Sequence, residues 1–276
     1  TGGPDKPGNG GAIYVAGNNT NITKSSFFTT IAKNGGDGGA IYIEGLNATV
    51  ENSEFSVTQS ARGHGGAIYI AGDDANVLNS TLIRANSTSG GIIYIYGDNA
   101  KVLDSIMMYS SSNIVEGGTG DGNGGALYIA GDNAIISAEF RFNNATGNAS
   151  ANDTGKGGSI YVAGNNVTIT ESIFFTTCAR DDGGALYITG QEGKLSNSTF
   201  INNNAYQGGA IFFNNETDNV TINGYFEGNE AERIGGAIVF QAKASNNIIS
   251  AEFNNNIANK ASGGAIFFRN LAENNP

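Results

Sequence analysis

This 276-residue chain has one cysteine, one histidine, two methionines, three prolines and no tryptophan. A single cysteine rules out an internal disulfide framework, so stability must come from packing and hydrogen bonding. One histidine, His64, leaves little material for metal clusters or for histidine-centred acid–base chemistry. Lys and Arg number only 14 against 25 Asp and Glu, for a net charge of −11. Without a basic run, nucleic acid and anionic membrane surfaces are poor partners. No segment approaches the ~18 uninterrupted apolar residues of a membrane span, so no insertion is expected within this segment. Apolar residues at helical spacing are absent as well.

What the chain has is glycine, 42 residues of it, arranged with a period. Ten Gly-Gly-Ala-Ile-Tyr-Ile-like segments begin at Gly10, Gly38, Gly65, Gly90, Gly124, Gly157, Gly183, Gly208, Gly235 and Gly263, at spacings of 28, 27, 25, 34, 33, 26, 25, 27 and 28. Units this small cannot bury their own apolar faces, so they must stack into a solenoid. In the copy from Gly38, Ile41-Tyr42-Ile43 alternates and is β-branched or aromatic, Thr49-Val50 alternates again, and Glu54-Phe55-Ser56 makes a third short strand. These features predict an all-β, right-handed parallel β-helix of about ten coils with three short strands per coil. The hand follows from the preference of parallel crossovers. Residues 1–276 form one domain, expected to be a fragment of a longer surface protein.

Strand parity sorts the side chains. The fourth and sixth positions of each copy, such as Ile68 and Ile70 or Leu127 and Ile129, are apolar and predicted inward. The fifth position holds Tyr14, Tyr42, Tyr69, Tyr94, Tyr128, Tyr161, Tyr187, Phe212, Val239 and Phe267, and is predicted to form an exposed column. A second ladder runs through Phe28, Phe55, Phe140, Phe174, Phe200, Phe226 and Phe253, with Leu82 as a substitute. Asn143, Asn203, Asn229 and Asn256 follow three residues after four of these and can stack as amides at a turn. Cys178 aligns with Ile31 and reads as a small buried apolar residue.

Twelve Asn-x-Ser/Thr sequons occur, three of them, Asn144, Asn148 and Asn152, in one long loop. They favour a secreted, glycosylated protein. The pairing of Gly208-Gly209-Ala210-Ile211 with Phe200 and Asn203, once per coil, is similar to the repeats of chlamydial polymorphic outer-membrane proteins. The Asn-rich, Gly-Gly-Ala-Ile-Tyr-rich composition resembles the adhesin-like surface proteins of methanogenic archaea. Gly91-Ile92 and Gly158-Ser159 depart from the motif. The resemblance implies an extracellular rod at the cell surface that performs or displays adhesion.

Parallel β-helices also carry polysaccharide lyases and glycoside hydrolases, so an enzyme is the alternative. Gly63-His64-Gly65 and Asp181-Asp182 resemble pieces of polygalacturonase-like sites, but they stand in reverse order nearly five coils apart. At about 4.8 Å per coil they cannot share one bond. His64 reads as an exposed turn residue. Gly117 to Asn123 faintly echoes a calcium nonapeptide without its tandem spacing. Neither a metal nor another cofactor is expected.

Two consecutive coils are swollen, between Ser110 and Asn123 and between Asn143 and Lys156. Long loops on a rigid scaffold are where recognition concentrates. With the neighbouring column they nominate Tyr94, Tyr96, Asp121, Tyr128 and Tyr161 as ligand-binding residues, since exposed rings suit sugars or protein surfaces. The reading is a non-catalytic adhesin or stalk segment that meets a glycan or protein of a partner cell, with self-association as a further mode.

Overall fold

The computed structural model describes residues 8–113, 121–148, 154–215, 217–218, 220–242 and 244–269. Every strand pair is parallel, and the described residues contain no helix. A ten-stranded sheet runs from Ile13–Val15 to Ile266–Phe268, giving ten rungs and about nine turns of a β-solenoid. A 13-stranded and a nine-stranded sheet complete it, and a small two-stranded sheet pairs Thr217–Asp218 with Ala244–Ser245.

Both glycines of the repeat have steric causes. Gly65 takes φ +62°, and a Cβ there would stand 2.2 Å from the Ile68 carbonyl oxygen. At Gly66 a Cβ would stand 2.2 Å from the Gly91 carbonyl oxygen one rung on, so the coils close up only without it. The strands that follow keep register: Ile68, Tyr69 and Ile70 lie opposite Ile93, Tyr94 and Ile95. Ile41, Ile43, Val50 and Phe55 face inward and are buried, as parity predicts.

The Phe ladder is continuous and in register. Its rings stack at 4.7 to 4.9 Å from Phe140 to Phe253, and Leu82 and Met107 bridge the gap between Phe55 and Phe140. One member differs from expectation: Phe27 stacks on Phe55 at 4.7 Å, while Phe28 points outward. The adjacent aromatics made the register ambiguous by one residue, and one residue flips the face.

The assignment of strands to sheets also differs from the sequence reading. The Phe-bearing strand continues the second sheet rather than forming a third. Lys101–Met108 crosses both parts in one strand, and Thr49–Glu51 with Glu54–Ser56 does so around a bend. At that bend the Ser53, Ser80, Ser105 and Ser198 side chains are buried. The backbone N–H of Ser53 donates to Ser80 Oγ at 3.1 Å, and Ser80 N–H to Ser105 Oγ at 3.2 Å. The third sheet consists of strands such as Gln59–Ser60 and Asn204–Ala205, whose inward column is Ala32, Ser60, Ser87, Ser112, Ala145, Ala179, Ala205 and Ala231. Such small residues give no hydrophobic alternation to read. Cys178 lies on the outer face of this sheet and is exposed, correcting its expected burial; its counterpart Ile31 is exposed too.

The asparagine ladder forms over Asn203, Asn229 and Asn256, while Asn143, the fourth expected member, has Thr177 on the next rung and instead accepts from the Ser110 hydroxyl and donates to the Met107 carbonyl. Asn203 Nδ2 donates to Asn229 Oδ1 and Asn229 Nδ2 to Asn256 Oδ1, both at 2.9 Å. Asn203 and Asn229 also donate to the Phe174 and Phe200 carbonyls. Buried amides are thereby satisfied inside the coil.

Ile129 sits at the centre of the first sheet with no exposed surface. Ile129→Asp places an unpaired charge there and is expected to cost several kcal/mol or prevent folding; a soluble variant with an unchanged thermal midpoint would contradict the inward assignment. A gain is also expected. Gly193 interrupts the buried column of Ala134, Val167 and Val220 beside a cavity of about 20 Å³. Its Cβ would meet only the Val167 carbonyl oxygen, at 3.5 Å. Gly193→Ala should stabilise by about 0.5–1 kcal/mol, read as a raised denaturation midpoint.

Candidate functional site

The fifth position of the repeat builds one uninterrupted stack. Rings from Tyr14 through Tyr42, Tyr69, Tyr94, Tyr128, Tyr161 and Tyr187 to Phe212 follow each other at 4.6 to 5.3 Å, with interplanar angles of 1 to 18°. Parallel strands in register place like residues one rung apart, and each offset pair adds about 0.5–1.5 kcal/mol beyond its buried area.

The stack is outside the core, but most of it is not open to solvent. Tyr94, Tyr128 and Tyr161 are half-buried, and Tyr187 and Phe212 are buried with Val239 and Ile234 in a second apolar cluster. The cover is a second column, formed by the residue immediately before each Gly-Gly: Asp37, His64, Ser89, Asn123, Lys156, Asp182, Gln207 and Ile234. Asn123 Oδ1 accepts from the Gly155 and Lys156 N–H groups at 3.1 and 2.8 Å. Lys156 is buried, its ammonium 4.7 Å from the Tyr187 ring centroid and 3.2 Å from the phenol oxygen. Gln207 Nε2 donates to Asp182 Oδ1 at 3.1 Å. The identities vary from coil to coil, so this column is invisible in the sequence except by its fixed place before Gly-Gly.

His64 belongs to that column and is not a free turn residue. Its Nδ1 lies 2.9 Å from Asp37 Oδ1, and its ring tilts over Tyr94 at 4.7 Å. Asp37, His64 and Ser89 thus stand on consecutive rungs, an order that invites comparison with a hydrolase triad. The Ser89 hydroxyl is buried, and its one proton faces Asp121 Oδ1 at 2.6 Å, with the Thr88 carbonyl as the other acceptor in reach at 2.8 Å. Ser89 therefore turns its proton to groups other than His64, and its side chain is buried. Asp182 is four rungs from His64 in the same column, not nearly five, which is roughly 19 Å at the strand spacing and still too far for one site.

The structure brings Tyr94, Tyr128, Tyr161 and Asp121 together and leaves Tyr96 at the margin. Asp121 is tied to Ser89, and its Oδ1 also accepts from the Asn123 N–H at 3.2 Å. Tyr96 is 62% exposed, two residues beyond Tyr94 in a column with Ala71 and Ala130, and has no ring to stack on. The bases of the two long loops stack one rung apart, Gly124 N–H donating to the Lys156 carbonyl at 2.9 Å. Ser111–Asn113 extends the third sheet instead of entering the loop. Asn144 is exposed on that sheet. Asn148 is half-buried, its N–H donating to Thr154 Oγ1 at 3.0 Å and its carbonyl accepting from Arg180. Asn152 lies outside the described residues, as does most of the glycine-rich stretch from Gly117. Among the described residues no group of three or more His, Cys, Asp or Glu could hold a metal ion.

Burial pushes the Tyr42, Tyr69, Tyr94 and Tyr128 phenols up, with the Asp121 carboxylate adding to the effect at Tyr94 and Tyr128; Tyr94 rises to about 12 and Tyr128 further. At Tyr69 burial acts first and Asp37 next. These folded values exceed the unfolded one near 10. The stabilisation from keeping the phenols neutral is therefore whole below pH 10 and is lost as pH rises through the folded values. Denaturation midpoints should fall steeply above pH 10, and phenolate absorbance of the stacked rings should appear with unfolding. Complete phenolate formation in a still-folded rod would contradict the burial of the stack.

No protein-family model, curated protein or solved structure matches this chain.

Proposed function

We propose that this chain is a non-catalytic segment of an extracellular surface protein, a rod that mediates attachment to a glycan or protein of another cell. The observation that carries this reading is the end-to-end ladder. Aromatic rings, serine hydroxyls and asparagine amides are spent on the next rung rather than converging on a reacting centre. A stack of this kind resists bending and carries load along its axis, which suits a stalk. Each coil adds length at constant chemistry, and near-duplicate segments such as Ile13-Tyr14-Val15-Ala16-Gly17 and Ile160-Tyr161-Val162-Ala163-Gly164 fit growth by internal duplication. The sequons favour a glycosylated, secreted setting, and Asn144 and Asn148 are the described members of the long-loop group. Recognition at the loop corner would use Tyr96 and the exposed edges of Tyr94, Tyr128 and Tyr161, beside Asp121.

The competing class is a carbohydrate-active enzyme. Incubation with a panel of neutral and acidic polysaccharides should yield no new reducing ends and no unsaturated products, while beads coated with the protein should adhere to cells. Turnover abolished by a single Asp or Glu substitution would overturn the reading, and so would the absence of adhesion to any cell type tested.

A further inference from the structure

The outer face of the third sheet differs from the asparagine columns at the turns of the rod. At the turns, side-chain amides bond to the next rung: Asn47 to Asn19 at 2.8 Å, Asn79 to Asn52 at 2.6 Å, Asn166 to Asn133 at 2.9 Å. On the third sheet, Gln59, Asn86, Ser111 and Asn144 lie in register on four successive rungs. Among the described residues, the side chains of these four and of Asn113 make no hydrogen bond within the protein. Gln59, Asn86, Ser111 and Asn113 line a groove of about 260 Å³ over the first three rungs, and none of the residues lining it is charged. Two residues before Ser111, at the turn that leads into this sheet, Tyr109 stands half exposed, stacked on Phe142 at 5.0 Å.

We propose that this face is a binding groove for a linear neutral polysaccharide lying along the rod axis. Unpartnered amides and hydroxyls, each able to donate and accept, repeat at about 4.8 Å. That is the pattern a run of sugar hydroxyls presents, and Tyr109 supplies a ring face for stacking at the margin. Two alternatives fit less well. Each strand under the groove is paired on both sides, so an extended peptide finds no free backbone edge there to pair with. The uncharged lining gives an acidic glycan no counter-charge. Asn86 and Asn144 begin sequons, but the Thr88 and Thr146 hydroxyls are already donated to the Gly63 and Ser112 carbonyls, at 2.7 and 2.8 Å. Protein without attached glycans presents both amides on this face. This inference rests on the attachment reading and gives it a ligand class and a place.

The test uses protein from a host that does not glycosylate it. Cellohexaose, laminarihexaose and mannohexaose are titrated by calorimetry, with hexagalacturonate and an extended Ser/Asn-rich peptide as comparisons. At least one neutral hexasaccharide should bind. Gln59→Ala and Asn86→Ala should each weaken it by about tenfold, the scale of one lost hydrogen bond, and Tyr109→Ala similarly. Glu54→Ala, on the outer face of the second sheet, should leave this binding unchanged, and thermal midpoints should be equal for Gln59→Ala, Asn86→Ala and the unaltered protein. No binding of any neutral hexasaccharide, preference for the acidic glycan or the peptide, or binding indifferent to the groove variants would each overturn the proposal. Bead adhesion separates the two levels: adhesion that survives the groove variants refutes the groove alone, whereas no adhesion by the unaltered protein refutes the attachment reading.

Discussion

Parallel, in-register pairing is the constraint on which everything else here depends. Once Ile68 lies opposite Ile93 and Ile93 opposite Leu127, every side chain meets its counterpart one rung away. The backbone ladder satisfies the main chain, and the columns then decide how much each rung adds. Apolar columns fill the interior, aromatic columns stack, and polar columns bond to their own kind. The glycine pair sets the rung spacing, since a Cβ at either position would collide with backbone. A single displaced rung would mismatch all of these columns at once, which is why a chain with one cysteine and few charged contacts can hold one structure.

The period, the inward assignment of the first sheet and the Phe and Asn ladders were legible in the sequence because they are repeated chemistry at fixed spacing. What could not be read was variable or small. The third sheet has Ser and Ala on its inner face, so neither β-branching nor alternation marks it, and Cys178 was placed inside when its strand turns it outward. The column before Gly-Gly changes from Asp37 to His64 to Lys156 to Ile234, and only the folded chain shows that these residues share one task, covering the tyrosine stack. Phe27 and Phe28 are adjacent, and sequence alone gave no reason to prefer one.

The candidate site was legible in part. Outward parity correctly separated the tyrosines from the core, but parity says nothing about what lies over them. Tyr94, Tyr128 and Tyr161 are thus first of all structural, with edges left over for recognition, while Tyr96 is the open ring. The unbonded amides of the third sheet carry a complementary lesson. In a rod whose turn asparagines bond from rung to rung, a run of amides and hydroxyls without partners in a groove is a surface that a ligand could complete.

The central claim is that like side chains on neighbouring rungs hold the rod together. A double-mutant cycle on Tyr94 and Tyr128, whose centroids are 4.6 Å apart, tests it directly. With each residue changed to Leu singly and together, chemical denaturation should give a coupling energy of about 0.5–1.5 kcal/mol. The pair Tyr128 and Phe212, three rungs apart, should be additive. Additivity at Tyr94 and Tyr128 would contradict the account.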